Sequence, residues 1–456
     1  MADNTFPTTL ADLNFRDSTI SGSVYQSIRD IRRSTLSIPN RLRSIVRDAH
    51  FVQNIAENCF LPLIANERCG SWYIDPELKV DVAYFKSTDG HHGQWSFSLR
   101  RLNLQALRTI GKHGGAIIVD STRRGKNMPD AFLKTVPIWV AVMNRTLFPE
   151  QKALHGLQCP PAPDDLGHSE VSQIEARLND FVTSFKDLQL DLHALTISLG
   201  KPLSIQWVVN GRDGAYQIDV AEDQHCNRLI LCSASRRVVG AEVSEGGYIQ
   251  GAGDDSESWA CGLTPKLFWK YHEMLLHKTP AEELPDTIAR LIVEDATLPS
   301  RSVPRLISPT TTLYIGPIVA NGKEKFGLTI DCTTSAEHSS NTFLGLGCRE
   351  GKLGSRGLRD QLPIVKGFMI AAFVKDDPER ILVTCSTCKD LSAGAALMIL
   401  CLFYNDSGGQ EINPDPQNID KALIKKRLAW ISSSMSDVNP SRATLQSVNA
   451  FLMARS

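Results

Sequence analysis

Arg380-Ile-Leu-Val-Thr-Cys385 is a short apolar run rich in β-branched residues, and it opens into Ser386-Thr387-Cys388-Lys389-Asp390-Leu391-Ser392, a polar stretch leading into the apolar segment Ala393–Phe403. A strand, a tight polar loop and a buried helix in that order form a unit of an α/β fold. Leu313-Tyr-Ile and Phe326-Gly-Leu-Thr-Ile-Asp331 add two strand patterns, and Lys421–Ser433 and Ser441–Ala454 read as closing helices. Together they predict a C-terminal α/β domain over 313–456. Upstream, Ala296–Thr312 carries Pro299, Pro304 and Pro309 and reads as a linker, since prolines among polar residues mark such joints.

The preceding residues, 1–300, predict a second, mixed α/β domain. Gly114-Gly-Ala-Ile-Ile-Val-Asp120 has the signature of a buried strand ending in an acid. Ser121-Thr122-Arg123-Arg124-Gly-Lys126 follows as a loop, and Pro129 stands near the first turn of a helix. Ligands commonly sit beyond the carboxyl ends of such strands. Ser204–Asn210 and Arg228–Ser235 read as further strands, and Val171–Leu188 and Pro265–His277 as helices. Apolar spacing over residues 20–58 predicts two helices interrupted at Pro39, because proline removes a hydrogen bond from a helix interior.

At 456 residues the chain exceeds one hydrophobic core, and 42% hydrophobic with 22% charged residues is an ordinary globular composition. No apolar run reaches the length of a membrane-spanning helix, and the N-terminus lacks the pattern of a secretory signal. The eleven cysteines at irregular spacing read as reduced thiols of a cytoplasmic or nuclear protein. Cys385 and Cys388 form the one tight pair, and nothing completes a zinc site around them. The net charge of −1 argues for no polyanionic partner, yet the basic residues are clustered. Arg29, Arg32, Arg33, Arg41, Arg43 and Arg47 form one stripe, with Arg100-Arg101, Arg123-Arg124-Gly-Lys126 and Lys425-Lys426-Arg427 as further clusters. Such stripes are either solvated helix faces or contacts to nucleic acid.

The segment Cys385–Ser392 resembles the loop of the tyrosine and dual-specificity phosphatases. There, backbone N–H groups and a helix N-terminus converge on phosphate, and an arginine six residues after the cysteine holds the transferring group. In this chain that position is Leu391, and Cys388 stands where glycine is usual. Loss of the bidentate arginine should cost at least about 10²–10³ in hydrolytic rate. The frame reads as one that grips phosphate without cutting it, or else as an ordinary strand-turn-helix.

Further stretches carry a wider resemblance: Asn66–Tyr73, Tyr84–His91, Arg100–Asn103, Val119–Lys126, Tyr248–Asp255 and Asn439–Gln446. With the Cys385 loop they are similar, in the right order over nearly the whole chain, to the initiator tRNA 2′-O-ribosyl phosphate transferases of fungi and plants. The resemblance implies an N-terminal transferase domain followed by a phosphatase-like domain. It also implies transfer of ribose 5-phosphate from phosphoribosyl pyrophosphate to a 2′-hydroxyl in the T stem of initiator methionine tRNA, which blocks use of that tRNA in elongation. A cysteine-dependent phosphatase and a non-catalytic tRNA-binding protein are the competing readings.

That chemistry needs cations for the leaving pyrophosphate, carboxylates for Mg²⁺ and a base for the ribose hydroxyl. Ser121, Thr122, Arg123, Arg124 and Lys126 beyond Asp120 suit the pyrophosphate or a tRNA phosphate. Lys86, Arg100 and Arg101 form a second cationic set. Asp254 and Asp255 are the expected Mg²⁺ ligands. Asp89 or His91, with Asp120, are the candidates for orienting or deprotonating the acceptor. The Cys385–Ser392 loop is expected to hold either the donor's 5′-phosphate or a tRNA phosphate. The stripe Arg29–Arg47 and Lys425-Lys426-Arg427 are the expected contacts to the tRNA backbone. The usual phosphoribosyltransferase motif, an apolar strand running into paired acids and Thr-Gly-Gly, is absent, so an unusual donor site is expected.

Overall fold

The computed structural model describes residues 36–87, 93, 95–211, 225–238, 247–296, 303–318, 326–349, 351–375, 380–411, 419–435 and 438–454. Two five-stranded sheets organise them. In the first, β1 (Leu63–Asn66), β2 (Lys79–Ala83), β3 (Gly115–Asp120), β4 (Leu203–Val209) and β5 (Asn227–Ser233) lie in the order β2-β1-β3-β5-β4. Every pairing in it is parallel.

All six residues of β3 are buried, as a central parallel strand covered on both faces requires. Its alternate side chains enter two different cores. Ala116 and Ile118 pack with the helices Leu104–His113, Val136–Leu147 and His168–Lys186. Ile117 and Val119 pack with Ile38–Cys59, Pro265–Glu273 and Leu284–Ala296. The first unit is therefore a three-layer α/β/α sandwich.

In the second sheet, β6 (Arg305–Leu306) is antiparallel to β7 (Leu313–Ile315), while β10 (Ile381–Thr384), β8 (Leu328–Asp331) and β9 (Phe343–Gly345) continue it in parallel. The helix Leu391–Phe403 leaves β10 after the Cys385 loop and is buried along its whole length. Gly394 makes that burial possible: a Cβ there would stand 2.6 Å from Thr444 Cγ2 and 2.9 Å from Leu358 Cδ2 on neighbouring helices. The two units are docked. Arg108 donates to the Ser433 carbonyl (3.2 Å), Lys426 to Gln189 (3.0 Å), and Ala429 packs into the core of the first unit.

Three elements differ from the sequence reading. Residues 36–59 carry one helix, Ile38–Cys59, with Pro39 in its first turn, where the missing N–H costs no bond; residues 20–35 of the expected pair lie outside the described residues. The helix Gly351–Lys375 has no counterpart in the reading, its pattern masked by Pro363 and four glycines. The stretch expected to be a linker contains β6, which borders the second sheet.

Candidate functional site

The strand order places a topological switch at β1 and β3. The chain leaves β1 for β2 on one side and leaves β3 for β4 and β5 on the other. The two departing loops diverge and open a crevice beyond the carboxyl ends of both strands. Asn66 ends β1 and Glu67-Arg68-Cys69 follows it, while Asp120 ends β3 and Ser121–Arg123 follows it, so the switch brings these residues together. A third segment, Gly251–Asp255, lies against them. Gly251 has φ +67°, and a Cβ on it would stand 2.8 Å from the Thr122 carbonyl oxygen. Only glycine allows that approach, which sets Asp254 beneath the β3 loop.

Arg68 is the centre of the constellation. Its Nη2 stands 3.2 Å from Asp120 Oδ1 and 3.3 Å from Asp254 Oδ1, and it also donates to the Ser121 carbonyl. Asp120 is fully buried and accepts from Asn66 Nδ2 and the Ser121 N–H at 2.8 Å each and from Cys69 Sγ at 3.0 Å. Burial works against the Arg68 charge, but Cys69, Asp120 and Asp254 outweigh it and hold its pKa above the ordinary value. Asp254 is buried, which raises its pKa against the opposing pull of Arg68. Its oxygens meet Arg68 at 3.3 Å and Arg123 Nε at 3.9 Å, yet neither accepts an aligned hydrogen bond. A cavity of about 380 Å³ opens here, lined by Arg68, Ser87, Thr122, Arg123, Pro129, Asp130 and Asp254. That volume falls in the range of small-ligand sites.

Other residues expected at the site are distributed around this cavity. Thr122 and Arg123 line it. Ser121 is buried and turned away, its Oγ 2.6 Å from Ser235 Oγ. Arg124 is exposed, and Lys126 is paired with Asp130 at 3.0 Å. Asp255 projects outward, with its carboxylate held by Arg123 at 2.6 Å. The expected carboxylate pair is thus split, and Asp130 is the second acid on the cavity wall. Asp120 has its oxygens committed to Arg68, Asn66, Cys69 and its own loop, which suits a positioning group better than a base. Asp89 and His91 lie outside the described residues.

Lys86, Arg100 and Arg101 line an adjoining pocket of about 650 Å³ together with Tyr84, Trp95, Phe97 and Arg177. Arg101 stacks over the Tyr84 ring at 3.9 Å. Arg68, Asp130 and Arg177 were missed by the sequence reading. Arg68 alone had a signal, standing three residues beyond the apolar run Leu61–Ala65 in the stretch Asn66–Tyr73 that carries part of the resemblance.

Of the basic stripe, Arg41 is half-buried, donating to the Ala252 carbonyl at 3.2 Å, while Arg43 and Arg47 are exposed on the same helix. Arg29, Arg32 and Arg33 lie outside the described residues. The Lys425-Lys426-Arg427 cluster, expected to contact tRNA, is not a solvent-facing stripe. Lys426 and Arg427 are buried and paired with Asp406 at 3.0 Å each, and Arg427 also donates to the Tyr404 carbonyl at 2.9 Å. Helix packing has drawn both inward, away from any RNA backbone; only Lys425 is exposed.

The Cys385 loop stands in the second unit. Cys385 Sγ donates to Ser392 Oγ at 3.2 Å, and Cys388 adopts φ +54° where a glycine would be unstrained. Ser386, Thr387 and Lys389 are exposed. Leu391, at the arginine position, is 4% exposed and belongs to the hydrophobic core. Asp390 is held by the Ser441 N–H at 2.8 Å. Among the described residues no three His, Cys, Asp or Glu side chains converge as a metal site, and no helix is long and apolar enough to cross a membrane.

Two family models match the chain: the Rit1 N-terminal domain over residues 31–293 and the Rit1 DUSP-like domain over 342–452. A Saccharomyces cerevisiae protein named tRNA A64-2′-O-ribosylphosphate transferase is 33% identical, with 97% of each chain covered. An uncharacterised protein of Schizosaccharomyces pombe is 35% identical, covering 91% of this chain and 94% of its own length.

Proposed function

The chain belongs to the Rit1 family, and on that premise we propose that it is a tRNA 2′-O-ribosylphosphate transferase whose reaction takes place at the Arg68–Asp254 cavity. The donor is phosphoribosyl pyrophosphate and the acceptor the 2′-hydroxyl of a T-stem purine in initiator methionine tRNA. The acceptor oxygen forms a bond to C1′ of the donor as the bond from C1′ to pyrophosphate breaks. Pyrophosphate leaves with the electron pair, and the hydroxyl proton passes to a base, for which Asp89 and His91 are the candidates.

The observation that carries this reading is the buried Arg68–Asp120–Asp254 constellation at the switch point of a parallel sheet. Arg68 and Arg123 supply positive charge where the pyrophosphate charge develops, in a partly enclosed cavity that strengthens the attraction. Asp120 orients Arg68 from behind.

Mg²⁺ fits this donor set. Asp254 presents oxygens with no aligned hydrogen bond, Asp130 faces the same cavity, and magnesium takes one or two carboxylates with substrate phosphates and water. When bound, the ion would neutralise part of the leaving-group charge. A phosphatase activity is disfavoured because the position of its arginine is occupied by Leu391 in the core.

The test is incubation of the purified chain with labelled donor and unmodified initiator and elongator tRNAs. Label should transfer to the initiator with release of pyrophosphate. Transfer to neither tRNA would refute the proposal.

A further inference from the structure

A cleft of about 520 Å³ runs between the two units. The first unit contributes Lys79 and Lys266 to its walls, and the second contributes Arg305 and Lys389. Arg101 stands at the joint, donating to the Val438 carbonyl at 3.5 Å and to the Asn439 side chain. The two acids in the cleft are already engaged: Glu67 pairs with Lys79 at 3.6 Å, and Asp81 accepts from the Thr109 hydroxyl at 2.9 Å. Lys266, Arg305 and Lys389 are exposed.

The cleft does not stand alone. It shares Tyr84, Arg101 and Asn439 with the 650 Å³ pocket, where every charged side chain among the described lining residues is a cation. That pocket in turn shares Ser87 with the Arg68–Asp254 cavity. Cations therefore line a track that leads from the cavity, past Lys86 and Arg177, across the joint and up to Lys389 of the Cys385 loop. Duplex RNA is recognised mainly through backbone and shape, by cations spaced along a surface longer than any single pocket.

We propose that this inter-unit cleft carries the phosphate backbone of the acceptor RNA, and that the phosphatase-like unit serves the reaction by supplying Arg305 and Lys389 as one wall of the track. The proposal rests on the transferase reading for the identity of the RNA. It assigns Lys389 to an acceptor phosphate and leaves the donor to the first unit.

The test is the full-length triple variant Lys266→Ala, Arg305→Ala, Lys389→Ala, compared with wild type for tRNA binding by fluorescence anisotropy over a series of salt concentrations. Three lost phosphate contacts should weaken binding at least about 10-fold and make the slope of log K against log salt shallower by roughly 2 to 3. Calorimetric affinity for the donor, measured without tRNA, should be unchanged, and the control Lys152→Ala, Lys186→Ala should keep the wild-type slope. A triple variant with the wild-type slope would overturn the proposal while leaving the transferase reading intact. If instead wild type binds tRNA as expected but transfers no ribosylphosphate, the track stands and the transferase reading falls.

Discussion

Replacing Arg68 by Met isolates what holds the site together. The substitution keeps an unbranched apolar stem and removes a cation placed within 3.3 Å of both Asp120 and Asp254, whose side chains are 0% and 4% exposed. Two buried carboxylates would then face each other with only the more distant Arg123, 3.9 Å from Asp254, to offset their charge. Removing one partner of a buried pair typically costs about 3–5 kcal/mol. For a chain of 456 residues that is a fall of roughly 3–5 °C in Tm. The pH dependence has a definite sign. Burial already raises the Asp254 pKa, so its charged form is the penalised one. Loss of Arg68 enlarges that penalty, which grows as pH rises through the folded-state pKa and is relieved as Asp254 takes up a proton. The deficit of the variant should therefore shrink as the pH is lowered toward 5. Adding Asp254→Asn to the variant removes one orphaned charge and should recover a substantial part of the lost Tm. Thermal unfolding followed by circular dichroism at pH 5 and pH 8, with calorimetric titration of the donor, reads all of these. A single variant whose Tm lies within 2 °C of wild type at both pH values, with unchanged donor affinity, would refute the role given to Arg68.

Two further perturbations address other parts of the chain. Asp48 accepts from Ser235 at 2.8 Å and from Tyr248 at 2.9 Å, and burial pushes its pKa from 3.8 to about 7. The native state therefore holds that proton between about pH 4 and 7, and stability declines across this window as pH rises, by roughly 4 kcal/mol. Asp48→Asn should flatten that decline in urea titrations at pH 5 and 8, and an unchanged slope would count against it. Leu391→Arg restores the arginine position of a phosphatase loop, but it drives a charge into the core of the second unit. A fall in Tm without hydrolysis of p-nitrophenyl phosphate is expected; a clear hydrolytic rate would show that the leucine alone had silenced the loop.

The parallel sheet was legible where its strands are buried on both faces. Gly115–Asp120 and Asn227–Ser233 carry the apolar runs Ala116–Val119 and Leu229–Cys232 because neighbours cover both sides. The Cys385 loop was legible because strand, loop and helix are contiguous. The helix Gly351–Lys375 was hidden because the neighbouring helices, and not local propensity, stabilise a segment containing Pro363. The candidate site was half legible. Asp120, Arg123 and Asp254 come from segments with recognisable turn chemistry, but their convergence depends on strand order, which spacing does not reveal. Arg68 acquires its role only through two acids 52 and 186 positions further along the chain, by their numbering. Lys426 and Arg427 show the opposite error, since a basic run looks solvated until tertiary packing turns two of its members inward.

The packing of Ala429 into the core of the first unit bears on how the protein can be divided in the laboratory. A fragment ending near residue 300 would retain all five strands of the first sheet yet lack the residue that fills this gap. It would expose to solvent an apolar patch that the intact chain never shows. Fragments chosen along the apparent joint should therefore express poorly, or adhere to one another, even where each holds a complete sheet. Complementation by mixing the two halves would succeed only to the extent that they find each other before they find copies of themselves.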